Sequence, residues 1–170
     1  MPAATAWFSR VGLPLAVGDR TEIAALLCGH RLLAAAEVGT IGSWVEASEI
    51  IRATDFDGSW WDDEEVERER LWMCAAGRLG ENALTEKLTK LADVLTQPVR
   101  DAAGFAAARA ESTDSALIRA ASGAALLAAQ QSALASLAGE GGTHFFTHKM
   151  ALFENGRWPL GLHLNRYVVF

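Results

Sequence analysis

Eight carboxylates crowd into one short stretch: Asp55, Asp57, Asp62, Asp63, Glu64, Glu65, Glu67 and Glu69, opposed only by Arg68 and Arg70. The stretch sums to −6, which is also the net charge of the whole 170-residue chain, because thirteen acids meet thirteen bases elsewhere. The chain is neutral with one acidic patch. Carboxylates at this density can bind a divalent cation, move protons, or meet a basic surface. Helix-dipole stabilisation of acids in a first turn, about 0.3–1 kcal/mol each, accounts for two or three of them. Glu64 with Arg68 is a favourable i,i+4 pair, but Glu65 and Glu69 repel at the same spacing. Trp60 and Trp61 stand beside the run, and aromatic anchors flanked by charge combine affinity with fast association. Trp60, Trp61, Asp62, Asp63, Glu64, Glu65, Glu67 and Glu69 are therefore the expected partner-binding residues, and a protein with a basic surface is their natural complement. That reading requires the carboxylates to point outward beside exposed indoles.

The histidines are His30, His144, His148 and His163. Cys28 and His30, two apart on a helix, diverge. His144 and His148 fall within an alternating run, and four residues of strand span about 13 Å, too far to share a metal. A two-residue Asn155-Gly156 turn would set His148 opposite His163, where two imidazoles could bind metal or titrate together. That register places Pro159 where an N–H should bond across to Leu152. No metal or cofactor is expected. A metal-dependent enzyme using the 55–69 carboxylates or His148 with His163 is the catalytic alternative.

Other motifs carry less. No Ser sits in a Gly-x-Ser-x-Gly elbow, and Gly139-Glu140-Gly141-Gly142 matches no phosphate cradle. Asp55-Phe56-Asp57-Gly58-Ser59 resembles the nucleophile motif of the haloacid dehalogenase-like phosphatases, whose first Asp attacks phosphate. The resemblance covers five residues, and the family's preceding apolar strand is replaced here by Glu49–Ala53, which reads as helix. The same residues fail as a calcium loop, since the twelfth position from Asp55 is Val66 rather than Glu.

The elements that must position these groups follow from periodicity. Thr21 caps an amphipathic helix running to Glu37, with Gly39 as its stop. Ser43 caps a short helix over 44–53. A third helix starts near Trp61, with Ser59 and Asp62 in capping-box spacing, and runs to Arg78. Leu84, Leu88, Leu91 and Leu95 stripe a fourth helix over 81–95. Pro98 marks a fifth start, running to Ala110. The longest element, about Asp114–Ala138, is Ala-rich and reads as a central scaffold. The period then changes from 3.6 to 2 over Thr143–Phe153, and Asn155-Gly156 signals a hairpin.

The expected fold is α+β, mainly α: five to six helices around the long Ala-rich helix, with a C-terminal antiparallel hairpin or three-strand meander. It forms one domain over 1–170, divided into an irregular segment 1–20, a bundle 21–138 and the small sheet 143–170. A composition 51% hydrophobic and 21% charged excludes disorder, and the negative balance argues against nucleic acid. The uncharged run Ala120–Gly139 is too rich in Ala, with Gln130 and Gln131 at its middle, to favour lipid. Two scattered cysteines, no signal-like N-terminus, and the excess of Arg over Lys point to a bacterial cytoplasm. The expectation is a non-catalytic binding protein of the immunity or antitoxin type that masks a basic toxin. A structural subunit docking through its apolar C-terminal sheet is the other non-catalytic alternative.

Overall fold

A computed structural model of the chain describes residues 6–31, 33–53 and 58–170. In chain order the elements are α1 (Val17–Gly29), β1 (Glu37–Thr40), α2 (Trp44–Arg52), α3 (Ser59–Leu79), α4 (Glu81–Arg109), α5 (Ser115–Ala138), α6 (Phe145–Glu154), β2 (Pro159–His163) and β3 (Arg166–Val169). The six helices form a bundle with a small mixed sheet of order β1-β3-β2. The α+β class and the central Ala-rich helix are as expected, but that helix, α5 at 24 residues, is not the longest element, because α4 runs to 29. Asp114 caps α5, accepting the N–H groups of Ala116 and Leu117 at 3.1 Å. Ala121, Ala125 and Ala128 are buried along it, so α3, α4 and α6 approach closely. No described helix is long and apolar enough to cross a membrane.

Four expectations are corrected. First, α1 begins at Val17 rather than at Thr21, with the Asp19 carboxylate accepting the Ala16 N–H at 2.9 Å. It also stops at Gly29 instead of Glu37: His30 turns to extended backbone with its N–H on the Leu26 carbonyl at 3.0 Å, and Gly29 lies flush against Phe145. Glu37–Thr40 then leaves the helical path and pairs parallel with β3, covering that strand's second edge. Second, Pro98 does not start a new helix. The leucine stripe continues into buried Val99, Ala103 and Ala106, and this burial carries α4 straight through the proline. The Thr96 hydroxyl donates to the Ala92 carbonyl at 2.7 Å in the turn before it.

Third, Thr143–Phe153 is no strand. Phe145, Phe146, Lys149, Leu152 and Phe153 are the buried face of α6, at helical spacing. Fourth, Asn155-Gly156 closes α6, and the hairpin turn lies at Leu164-Asn165 between β2 and β3. His148 therefore does not face His163, which pairs with Arg166 in the sheet. Pro159 sits on an edge strand beside a register shift, which removes its conflict. In addition, α3 begins at Ser59 with Gly58 in the capping position, so Ser59 is the first helical residue and not the cap. Asp55, Phe56 and Asp57, which open both the phosphatase-like and the calcium-loop readings, lie outside the described residues.

The buried hydrophobics form three clusters, and α3 joins two of them. Trp60 packs with α1, Leu162 and Tyr167, while Leu71 and Ala75 pack with α5, Phe145 and Phe146. The third cluster holds Trp7, Phe8, Trp158 and Phe170 against α4 and α5. Fully buried Arg157 fastens the N-terminal segment over it. Its guanidinium donates to Asp19 at 3.0 Å and to the carbonyls of Leu13 and Pro14, each at 2.6 Å.

Candidate functional site

The acidic stretch is wound into α3, and helical rotation sorts it into two stripes. Trp60, Glu64, Glu67 and Leu71 follow the i, i+4, i+7, i+11 spacing on the inward side. Asp62, Val66, Glu69 and Met73 follow the same spacing two residues later, about 200° around the axis. The structure thus separates residues that the one-dimensional sequence groups together.

On the inward side Trp60 and Glu64 are each 2% exposed. A buried carboxylate needs partners, and Glu64 has two: Lys149 Nζ donates to it at 2.6 Å and Gln131 Nε2 at 3.2 Å. The Lys149 ammonium also lies 5.5 Å from the centre of a Trp60 ring. The i,i+4 pairing of Glu64 with Arg68 does not form; Arg68 holds Glu65 at 2.8 Å. Nearby, the buried Tyr167 hydroxyl is pushed well above its ordinary pKa by burial and by the charge of Glu64. Gly161, at φ +120°, lets β2 cross the Trp60 indole where a Cβ would collide with the ring.

Asp63 and Glu67 border a cleft of about 580 Å³ between α3, the end of α1 and the α5–α6 turn. Arg31 pairs with Asp63 at 2.9 Å. Buried His30 lies 3.9 Å from the same carboxylate; burial lowers its pKa, against the opposing pull of Glu64 and Asp63. Arg70 bridges Glu67 at 2.7 Å and Glu140 at 2.6 Å. Its hydrogen bonds hold both carboxyls below the usual range, and they in turn raise the guanidinium pKa.

Glu67, Glu140 and His144 each bring one donor atom within 4.8 Å of the others, a spacing that suits a metal ion. The donor chemistry does not fit one. His144 caps α6 by accepting the Phe146 N–H on Nδ1 at 3.1 Å, so its proton resides on Nε2, which donates to Glu67 at 2.8 Å. Both ring nitrogens are committed, leaving no lone pair for a metal or for a general base. The positive charge that a metal would supply is already present as Arg70. His148, through Nδ1, meets Glu22 at 2.8 Å and ties α6 to α1.

On the outward side Trp61 is 41% exposed, Val66 68% and Met73 73%. Asp62 and Glu69 are exposed and make no ion pair among the described residues. Of the eight expected binding residues, Asp62 and Glu69 face solvent, and Trp61 does so in part, its ring packed edge-on against Trp60 at 5.3 Å. Trp60 and Glu64 are buried, and Asp63, Glu65 and Glu67 are occupied within the chain. Asp55 and Asp57 lie outside the described residues. Sequence reasoning missed Lys149, Gln131, Glu140 and His144 as partners of α3; the helical spacing of Phe145, Lys149 and Leu152 would have placed Lys149 on a buried face. It also missed Val66 and Met73, which share the phase of Asp62 and Glu69. No family model, no curated protein and no solved structure matches the chain.

Proposed function

We propose that this protein is a non-catalytic binding module that engages a basic protein partner through the outward stripe of α3. The observation that carries the reading is the pairing of exposed apolar Val66 and Met73 with unpaired Asp62 and Glu69 on one helical face, flanked by Trp61. Stability does not explain this face, since its residues touch little of the chain. An interface does: apolar side chains supply burial, about 25 cal/mol per Å², while uncompensated carboxylates steer an oppositely charged surface. Masking of a basic toxin is the form of this reading that suits a small domain with an acidic outer face.

Catalysis draws less support, because His144, which lines the cleft of about 580 Å³, has both ring nitrogens engaged. Assembly through the C-terminal sheet also draws less, because Leu160, Leu162, Tyr167, Val168 and Phe170 are buried within the chain itself. The test is affinity purification from the native host with wild type, Val66→Asp/Met73→Asp and Asp62→Lys/Glu69→Lys. A co-purifying basic protein is expected with wild type and lost with both variants, at unchanged circular dichroism and Tm. Its retention by both variants overturns the proposal.

A further inference from the structure

Residues 6–15 precede α1 and form neither helix nor strand, yet they cross the cluster built around Trp158. Only Trp7 and Phe8 of this segment are buried, with ring centres 6.3 and 6.0 Å from that of Phe153. Among the described residues, one backbone hydrogen bond joins the segment to the rest of the fold, from the Arg10 N–H to the Gly156 carbonyl at 3.0 Å. Gly156 permits that approach, since a Cβ there would meet the Ser9 hydroxyl and the Ala6 carbonyl.

Most of the polar hold comes from a single side chain. Arg157 spends all five of its N–H groups here. Three go to carbonyls of the segment, those of Arg10, Leu13 and Pro14, and two to Asp19 at the start of α1, at 2.9 and 3.0 Å. Arg10 adds a looser contact with the same carboxylate, at 3.8 Å.

Two features oppose this hold. Phe8 has a φ of +55°, a left-handed conformation unfavourable for a bulky side chain. The packing beside the segment is also open. Trp7 walls a hollow of about 300 Å³ with Leu91, Leu95 and Met150, and Val11 and Leu13 wall another of about 400 Å³ with Trp44 and Ala106. A segment with few backbone bonds and few close neighbours opens at a lower free energy than the core. The rings beneath hold one another without it: Trp44 lies 5.8 Å from Trp158 and 5.5 Å from Phe170.

We propose that residues 6–15 are a strap, latched by Arg157, that opens as one unit while the helical body stays folded, baring the rings of Phe153 and Trp158. The chain's own strap is then the occupant of an aromatic groove that the closed protein hides.

Native-state hydrogen exchange of the full chain at low urea tests this. The Arg10 and Leu13 amides are expected to share one opening, at least about tenfold more populated than that of the α5 amides and with a weaker urea dependence. Gly123→Ala stabilises α5 at an exposed position with open space around it. It should slow α5 exchange about fourfold and leave the strap amides unchanged, because α5 is helical in both the closed and the strap-open forms. Arg157→Lys keeps a positive charge near Asp19 but loses the guanidinium fork. It should speed strap and α5 exchange alike, about tenfold, because only the closed form uses the latch. Strap amides that slow with α5 in Gly123→Ala, or that open independently of one another, overturn the proposal; so does strap exchange unchanged by Arg157→Lys. If Arg157→Lys does not fold, Gly123→Ala decides alone.

Discussion

The two faces of α3 carry nearly the same chemistry and do opposite things. Inward, Trp60, Glu64 and Glu67 are joined to Lys149, Gln131, His144 and Arg70, so three later segments of chain are tied to one helix. Outward, Asp62, Val66, Glu69 and Met73 meet none of these. An indole and a carboxylate on the first face are structural; an indole and a carboxylate on the second are available to a partner. A tally of charge in a segment therefore says little about function until each residue is assigned to a face.

The contrast breaks most visibly at Glu64. Glu64→Ala leaves the Lys149 ammonium buried without its counterion and is expected to cost about 3–5 kcal/mol, read from urea denaturation. Glu64→Leu with Lys149→Met together should restore most of that loss, since the penalty lies in the orphaned charge. A cost below about 1 kcal/mol for Glu64→Ala would remove the inward stripe's structural role.

Arg70→Ala tests the half-exposed edge of the same face, where solvent screening limits the expected loss to about 1 kcal/mol. NMR titration should show the Glu67 and Glu140 carboxyls rising toward their ordinary values in that variant. Because the folded carboxyls titrate low, wild type has this contribution in full above the ordinary carboxylate pKa and loses it as pH falls through the folded values. Arg70→Ala should flatten that acid limb.

His30 supplies a gentler slope of different origin. Burial depresses its pKa, so the unfolded chain takes up the proton first. Stability is then full above about 6.5, the ordinary histidine value, and declines as pH drops below it toward the folded pKa. Chemical denaturation across that window should show the decline in wild type and its reduction in His30→Gln. Smallest is the outward face: Asp62→Lys/Glu69→Lys should leave stability within about 0.5 kcal/mol while abolishing partner capture. A marked loss of stability there would show that the two faces do not divide the labour.

Much of the fold was legible because its signals are local. Ser43 at α2, the Ala run of α5 and the leucines of α4 each announce a helix within a few residues. The errors arose where distant contacts overrode local signals. The helix read as far as Glu37 ends at Gly29, and Glu37–Thr40 becomes a strand on the free edge of β3. Pro98 reads as a start yet lies mid-helix because Val99 and Ala103 are buried against the body. Phe145-Phe146 and Asn155-Gly156 mimic a hairpin, although the wider spacing through Lys149, Leu152 and Phe153 is helical. For the site, the acidic concentration was visible, but the division of its members was not.

From the chain alone follow the helical class, the central Ala-rich element and the placing of the whole net charge beside two tryptophans, since composition and short-range periodicity are written in neighbouring residues. Which carboxylates remain free was decided only by tertiary structure. Glu64 is neutralised by a lysine from α6, and Glu67 is paired with a guanidinium and accepts a hydrogen bond from an imidazole, while Asp62 and Glu69, a half-turn away, face water. The physical reason is that helix phase can be read locally, but a buried charge is tolerated only where a partner from elsewhere in the fold arrives to meet it.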